Sequence, residues 1–213
     1  VDGDGIGDFL VGAPQDAGAA YILAGPSDPD AALGMPYVFT GEGDDAVGAA
    51  LAGAGDLDGD GLPDIAVGAP GTSGGDGAVH LFVRPLTDGI AVPWATLEGG
   101  GSEAAGTALA LADDYDGDGQ PDLAVGAPLN DSGGTDAGMA YLFSGLEPGT
   151  EPMTTAYVRF QGEAEGDQAG TAVAGLGDIT GDGWPDFGIG APFAENSGAE
   201  VGTTYVVPGL GGY

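Results

Sequence analysis

The stretch Asp56–Pro70 reads Asp-Leu-Asp-Gly-Asp-Gly-Leu-Pro-Asp-Ile-Ala-Val-Gly-Ala-Pro. Carboxylates stand at alternate positions, Asp56, Asp58 and Asp60, before Gly61, and Asp64 closes the run. Short acidic side chains two residues apart, followed by a glycine that lets the backbone reverse, turn their oxygens toward one point. That point suits a hard cation. Calcium takes roughly 6–8 oxygens in irregular geometry, so carboxylates, a main-chain carbonyl and water can share it. The Leu62 carbonyl is the expected backbone ligand and Asp64 the last carboxylate. An EF-hand would instead close on a bidentate Glu at loop position twelve, between helices. Here position twelve is Val67, and Asp64 runs straight into Ile-Ala-Val-Gly-Ala-Pro. Such a short apolar run, stopped by Gly and Pro, reads as a buried strand.

The loop and its strand occur four times. The first copy carries Asp2, Asp4, Ile6 and Asp8 ahead of Phe-Leu-Val-Gly-Ala-Pro14. The third carries Asp114, Asp116, Asp118, Gln120 and Asp122, and the fourth Asp178, Thr180, Asp182, Trp184 and Asp186. Ile6, Gln120 and Trp184 hold the carbonyl position of Leu62. Thr180 replaces an aspartate with a neutral oxygen, so the fourth loop should bind more weakly, since ligand charge tunes affinity. The closing aspartates lie 56, 58 and 64 residues apart, a period that belongs to a repeat architecture.

Other segments recur in phase. A small-residue strand is expected before each complete loop, at 47–52, 105–110 and 169–174. A stronger strand is expected after each Gly-Ala-Pro, at 19–24, 78–83, 139–144 and 203–207. A fourth strand follows near 37–40, 95–98 and 157–161. Four short strands per unit, the first small enough to crowd near an axis, predict an all-β fold. The architecture is a β-propeller of four-stranded antiparallel blades, with a linear solenoid as the alternative. The units are 1–46 without its inner strand, 47–104, 105–168, and 169–213 without its outer strand. About three and a half blades are present, so the chain reads as a fragment of a larger propeller, or as one of a pair joined through its incomplete end blades.

Charge sets the partners. Thirty-four acidic residues against two arginines, Arg84 and Arg159, and no lysine give a net charge of −32. Nucleic acid and anionic lipid need a basic face and are excluded. Acidic surfaces, salt adaptation or a biased genome are the readings for the carboxylates outside the loops. No apolar stretch is long enough to span a bilayer. Cysteine is absent, so disulfides contribute nothing.

Asp-x-Asp-x-Asp-Gly-x-x-Asp running into Gly-Ala-Pro, with a Gly-containing strand upstream, resembles the FG-GAP repeat. That repeat builds the N-terminal propeller of integrin α-subunits and occurs in many bacterial secreted proteins. "Gly-Ala-Pro" stands intact at 12–14, 68–70, 126–128 and 190–192, while the "Phe-Gly" half becomes Val47-Gly48, Ala105-Gly106 and Ala169-Gly170. The abundance of Ala, Gly and Asp is closer to a bacterial relative than to an animal integrin. The resemblance implies a seven-bladed propeller with calcium between first and second strands on the lower face. Ligands or partner subunits would dock on the upper face. The upper loops are then 71–77, 129–138 and 193–202, with the blade-to-blade loops 41–46, 99–104 and 162–168.

His80, the lone histidine, occupies the position of Tyr21, Tyr141 and Tyr205 in equivalent strands, which favours packing over catalysis. Arg159 lies on an outer strand, where a charge protects an edge. Cysteine nucleophiles, zinc helices, nucleophile elbows and phosphate loops are missing, so no catalytic residue is assigned. The expected function is a calcium-binding adhesion or interaction module, secreted or at the cell surface, with a protein or glycan on its upper loops. The alternative is the non-catalytic propeller portion of a larger secreted hydrolase, lipase or lyase.

Overall fold

A computed structural model describes residues 6–23, 25, 37–83, 91–196 and 199–210. Asp2, Asp4 and Arg84 lie outside them. The first sheet joins β1 (Phe9–Ala13), β2 (Ala19–Leu23) and β3 (Tyr37–Thr40) in that order. The second joins β4 (Leu51–Gly55), β5 (Asp64–Ala69), β6 (Ala78–Phe82) and β7 (Ala95–Glu98). In the third, β8 (Ala108–Leu111), β9 (Leu123–Ala127) and β10 (Met139–Phe143) precede β11 (Gly149–Pro152) and β12 (Val158–Gln161) along the chain. The fourth unit adds β13 (Ala172–Gly177), β14 (Asp186–Ala191), a small hairpin of β15 (Glu195–Asn196) and β16 (Ala199–Glu200), and β17 (Thr203–Val207). Its main sheet runs β13-β14-β17. Each unit is an antiparallel meander, and the all-β, propeller-blade architecture expected from the repeat is what the chain adopts.

Two expectations need correction. The inner strands begin three or four residues late: Val47, Ala105 and Ala169 stand outside β4, β8 and β13 as isolated parallel bridges to Gly18, Gly77 and Gly138 of the preceding unit. The following glycines, Gly48, Gly106 and Gly170, have φ near +86°. That left-handed turn, open to glycine at little steric cost, steers the chain from one blade into the next. The second correction is β11. It leaves the third unit and pairs in parallel with β7, so the second sheet has five strands in the order β11-β7-β6-β5-β4.

The core lies between sheets. β5, β9 and most of β14 are buried on both faces, which is why their sequences are continuous apolar runs rather than alternations. Val67, Ile65 and Phe82 meet Ile22 and Val47 at the first junction. Val79, Leu81 and Leu97 meet Leu123, Val125 and Met153 at the second. Ala140 and Leu142 meet Phe187 and Ile189 at the third. The small inner strands adjoin one another, β4 beside β8 and β8 beside β13, as crowding near an axis requires.

His80 pairs with Val67, as Tyr141 pairs with Val125 and Tyr205 with Ile189. Its ring meets Phe39 edge-on at 4.6 Å, and Nδ1 lies 3.2 Å from Thr96 Oγ1. Desolvation lowers its pKa to about 4, against a smaller upward pull from Asp45. A base with a depressed folded-state pKa contributes stability above its unfolded value, near 6.5, and loses it as pH falls toward 4. Replacing His80 with Phe should therefore flatten the loss of stability between pH 6.5 and 4, by at most about 3 kcal/mol from the size of the shift. Urea melts of both proteins across that window check it.

Candidate metal centres

The acidic loops sit where the first strand of a unit turns into the second: 56–63 between β4 and β5, 112–122 between β8 and β9, and 178–185 between β13 and β14. A bulge at Gly53/Gly55 precedes the first of these, and another at Gly175/Gly177 precedes the last. Gly59 and Gly61 adopt φ of +78° and +86°, so the loop reverses tightly enough to fold side chains over its own N–H groups.

Asp56, Asp58 and Asp64 present carboxylate oxygens all within 4.8 Å of one another, as do Asp114, Asp116 and Asp122. Calcium–oxygen distances of about 2.3–2.6 Å place ligands across one ion up to about 5 Å apart, so both triads fit such an ion. Their hydrogen bonds show what is left over. Asp64 Oδ2 accepts the Leu57 N–H at 2.8 Å and Asp122 Oδ2 the Tyr115 N–H at 2.7 Å. Their Oδ1 atoms, buried, have no partner, and neither does Asp114 Oδ1. A buried carboxylate oxygen without a donor is costly. Burial accordingly pushes Asp64 up to about 6, with Asp58, Asp60 and Asp56 adding to the rise. It pushes Asp122 up to about 7. A bound cation would remove both problems at once.

The structure does not gather every loop aspartate. Asp60 Oδ1 accepts the Leu62 N–H at 2.7 Å, and Asp118 Oδ1 the Gln120 N–H at 2.7 Å, so both cap the turn beside their triads. Asp118 Oδ2 also accepts from Ser144 Oγ at 3.2 Å, a contact from the far end of β10 that loop spacing does not reveal.

The fourth loop is built differently. Among the described residues it forms no acidic triad. Asp178 accepts N–H groups from Gly181, Asp182 and Gly183, and Asp182 accepts that of Trp184. Asp186 takes the N–H groups of Ile179, Thr180 and Gly209, each at 2.9 Å, with the Thr180 hydroxyl at 3.4 Å. Burial pushes Asp186 up, but these donors outweigh it and hold its carboxyl below the usual range. Thr180 thus supplies a donor where Asp58 and Asp116 supply a charge, and the loop is satisfied by its own protons. In the first loop Asp8 Oδ1 accepts the Gly25 N–H at 2.7 Å, the counterpart of Gly209 on Asp186.

Asp122→Asn separates these demands. Without calcium the variant should melt no lower than the parent, because an amide carries no charge into that buried position. With calcium it should lose about half of the ion-induced rise in Tm, leaving the second loop's share. Differential scanning calorimetry with and without calcium reads both.

At the opposite end of the sheets lie the upper and blade-to-blade loops. One acid recurs there: Asp45, Glu103 and Asp167 each accept the N–H three residues earlier, from Glu42, Gly100 and Ala164. Glu103 reaches further. Its Oε2 accepts the Tyr141 hydroxyl and the Asn130 amide, both at 2.5 Å, and Asn130 also lies 3.1 Å from Tyr141 Oη. Burial and the Glu103 carboxylate raise the Tyr141 pKa, so the phenol stays a donor. Loop spacing alone does not reveal this cluster, although the acid recurring near the end of each junction loop is the signal that marks it. It edges a cavity of about 240 Å³ that also touches Arg159 and Met153.

The FG-GAP repeat family matches residues 47–82 and 105–143, within the second and third units. Over 136 residues, 60% of the chain, it is 37% identical to integrin alpha-7 of Homo sapiens, of which it covers 11%. Over 191 residues, 86% of the chain, it is 30% identical to integrin alpha-6 of Gallus gallus, covering 17% of that protein. Integrin alpha-PS2 of Drosophila melanogaster is 34% identical over 161 residues, 73% of the chain and 11% of that protein. The chain thus spans 11–17% of the length of these relatives. Since the matched units are the two whose sheets and acidic triads are complete, repeat and kinship agree: the chain carries FG-GAP repeats and is integrin-α-like.

Proposed function

We propose that the chain is a calcium-binding interaction module of the adhesion type, working outside the cell or at its surface, with a protein or glycan partner on its upper loops. The observation that carries this is the pair of acidic triads, each closed by a buried carboxylate with an oxygen left without a donor. Bound calcium would supply fixed positive charge among the carboxylates. Asp56, Asp58 and Asp64 would hold it in the second unit and Asp114, Asp116 and Asp122 in the third, with Asp60, Asp118 and the carbonyls of Leu62 and Gln120 available to complete the shell. Leu57 and Tyr115, which donate to the closing aspartates, aim those carboxylates inward. The first loop, through Asp2, Asp4, Ile6 and Asp8, carries three aspartates rather than four and would fill only in part. The fourth, with Asp178, Thr180, Asp182, Trp184 and Asp186, is the weakest.

Antiparallel strands carry the metal loops to one end and the docking loops to the other, so the ions act as clamps rather than as ligand contacts. Leu129 and Phe193, each following a Gly-Ala-Pro, are exposed large apolar residues at equivalent positions of the docking end. The Leu129 N–H donates to the carbonyl of Glu103, whose side chain holds Asn130 and Tyr141, and the Phe193 N–H donates to the carbonyl of Asp167. The relatives are integrin alpha chains, which is the ground for the adhesion reading, and catalysis is not part of it. Nucleic acid is excluded by a net charge of −32. No helix among the described residues is long and apolar enough to cross a membrane.

The test is a screen of the immobilised chain against extracellular matrix proteins and a glycan array, in calcium and in chelator. The reading predicts at least one partner held in calcium, released by chelator, and lost from a Leu129→Asp/Phe193→Asp variant that still melts like the parent. Partners retained equally in chelator, or no partner in either condition, would contradict it.

A further inference from the structure

The junctions between units repeat one arrangement, and the second departs from it at several positions together. The N–H of Gly71, Leu129 or Phe193 donates to the carbonyl of Asp45, Glu103 or Asp167, which fixes the equivalent residues. Where the second junction has Asn130, the first has Thr72 and the third Ala194. Glu103, one methylene longer than Asp45 and Asp167, reaches both Asn130 and the Tyr141 hydroxyl. Arg159 stands opposite Tyr141 across the sheet, where Thr96 stands opposite His80. Between β10 and β12 the chain forms β11 and a single 3-10 turn, Met153–Thr155, which brings Pro152 and Met153 to the same place.

All of these line the cavity of about 240 Å³, with Glu98 at its edge. Pockets for drug-sized molecules hold about 300–1,000 Å³, so this one suits a single ring. Glu103 has no oxygen left to meet a ligand charge: Oε1 accepts the Gly100 N–H, and Oε2 accepts from Tyr141 and Asn130. Glu98 and Arg159 carry the remaining charges, and both are exposed. Exposed charges gain little from pairing, so a ligand's charge is not what the cavity selects. Neutral hydrogen-bonding capacity is what remains. Asn130 Oδ1 accepts the Ser132 N–H at 2.9 Å and keeps a second lone pair. Arg159 forms no ion pair among the described residues and keeps its N–H donors. Met139 and Met153, both buried, give the cavity an apolar side.

We infer that this cavity is a sugar-binding subsite for one neutral pyranose residue of a glycan, seated with its C–H face on Met153 and Pro152. A sugar hydroxyl donates and accepts at once. Neighbouring hydroxyls can therefore give protons to Asn130 Oδ1 and the Glu98 carboxylate while accepting from Arg159. Acidic sugars are disfavoured, because two carboxylates face one guanidinium in a chain of net charge −32. Glu98 and Arg159, at the exposed rim, leave the glycosidic end of the ring a way out to solvent. The inference deepens the docking reading by naming a glycan and a place for it, and it can fail separately. Neither Leu129 nor Phe193 lines the cavity, and none of its lining residues belongs to an acidic loop.

Methyl glycosides of glucose, galactose and mannose, with glucuronate and free glycine for comparison, are titrated in calcium into the full chain labelled with methyl-13C methionine. At least one neutral glycoside should saturate, with a dissociation constant on the order of 1 mM, as suits a ligand this small. It should move the methyl resonances of Met139 and Met153 together. Arg159→Ala alters an exposed side chain and should melt within about 2 °C of the parent, yet bind about fivefold more weakly, the worth of a hydrogen bond. Asn130→Ala should weaken binding at least as much, and Arg159→Ala carries the test alone if that variant is unstable. No saturable binding of a neutral glycoside, tighter binding of glucuronate or glycine, methionine resonances that stay still, or undiminished binding by Arg159→Ala would each overturn the inference.

Discussion

Saturating calcium should raise the melting temperature of the chelator-stripped chain by about 10–20 °C. An ion held only by the folded state contributes about 2.7 kcal/mol when present at about a hundred times its dissociation constant. Two complete triads would therefore contribute about 5 kcal/mol, and a chain of this size gains about 2–4 °C per kcal/mol. The effect should be specific rather than a general relief of the −32 charge, because the unpartnered oxygens of Asp64, Asp114 and Asp122 are buried and poorly reached by diffuse counter-ions. Sodium chloride at matched ionic strength should reproduce only a small part of the shift. Equal shifts from the two salts, or an unchanged melt in chelator, would remove the ions from the account of stability.

The second large effect concerns blade packing. Gly126→Ala should destabilise the chain by about 3–5 kcal/mol, or prevent its folding, at the upper end of what single substitutions do. Its Cβ would stand 1.9 Å from the Gly170 carbonyl oxygen, and that oxygen belongs to backbone fixed from the other side by the Gly170 N–H to the Gly190 carbonyl at 3.0 Å. Neither partner can yield without parting two sheets. Gly68→Ala meets the Gly106 carbonyl in the same way, whereas among the described residues the Cβ of Gly190→Ala meets only Ala172, at 3.4 Å. Thermal melts of the three variants should thus give two severe losses and one near-silent change. A Gly126→Ala chain that melts with the parent would contradict the blade-to-blade contact itself.

Much of this architecture is legible in the sequence because the repeat states it several times. The buried strands after Asp64, Asp122 and Asp186 read as apolar runs since both of their faces are covered, and a third strand follows each closing aspartate by 14 to 17 residues. What escaped has physical causes. β11, Gly-Thr-Glu-Pro, has neither apolar alternation nor β-branched enrichment, and pairs only because the edge of β7 is available. The late start of the inner strands follows from the left-handed glycines at 48, 106 and 170, whose φ a strand pattern does not disclose.

At the sites, alternating aspartates identify the loops but not the division of labour within them. Asp58 and Asp60 are identical in type and each accepts the N–H two residues on, yet Asp58 and not Asp60 comes together with Asp56 and Asp64. Likewise the contrast between Asp122, pushed up to about 7, and Asp186, held low, depends on donors from Thr180 and Gly209 that only the folded chain brings near. Thr180 was a visible warning. The Gly209 N–H, twenty-three residues away, was not.

Isothermal titration of the chelator-stripped chain with calcium tests the central claim most directly. Two equivalents of the tightest class are predicted, one lost in Asp64→Asn and the other in Asp122→Asn, while Asp186→Asn keeps both. Absence of a saturable heat, or a stoichiometry indifferent to Asp64 and Asp122, would contradict it.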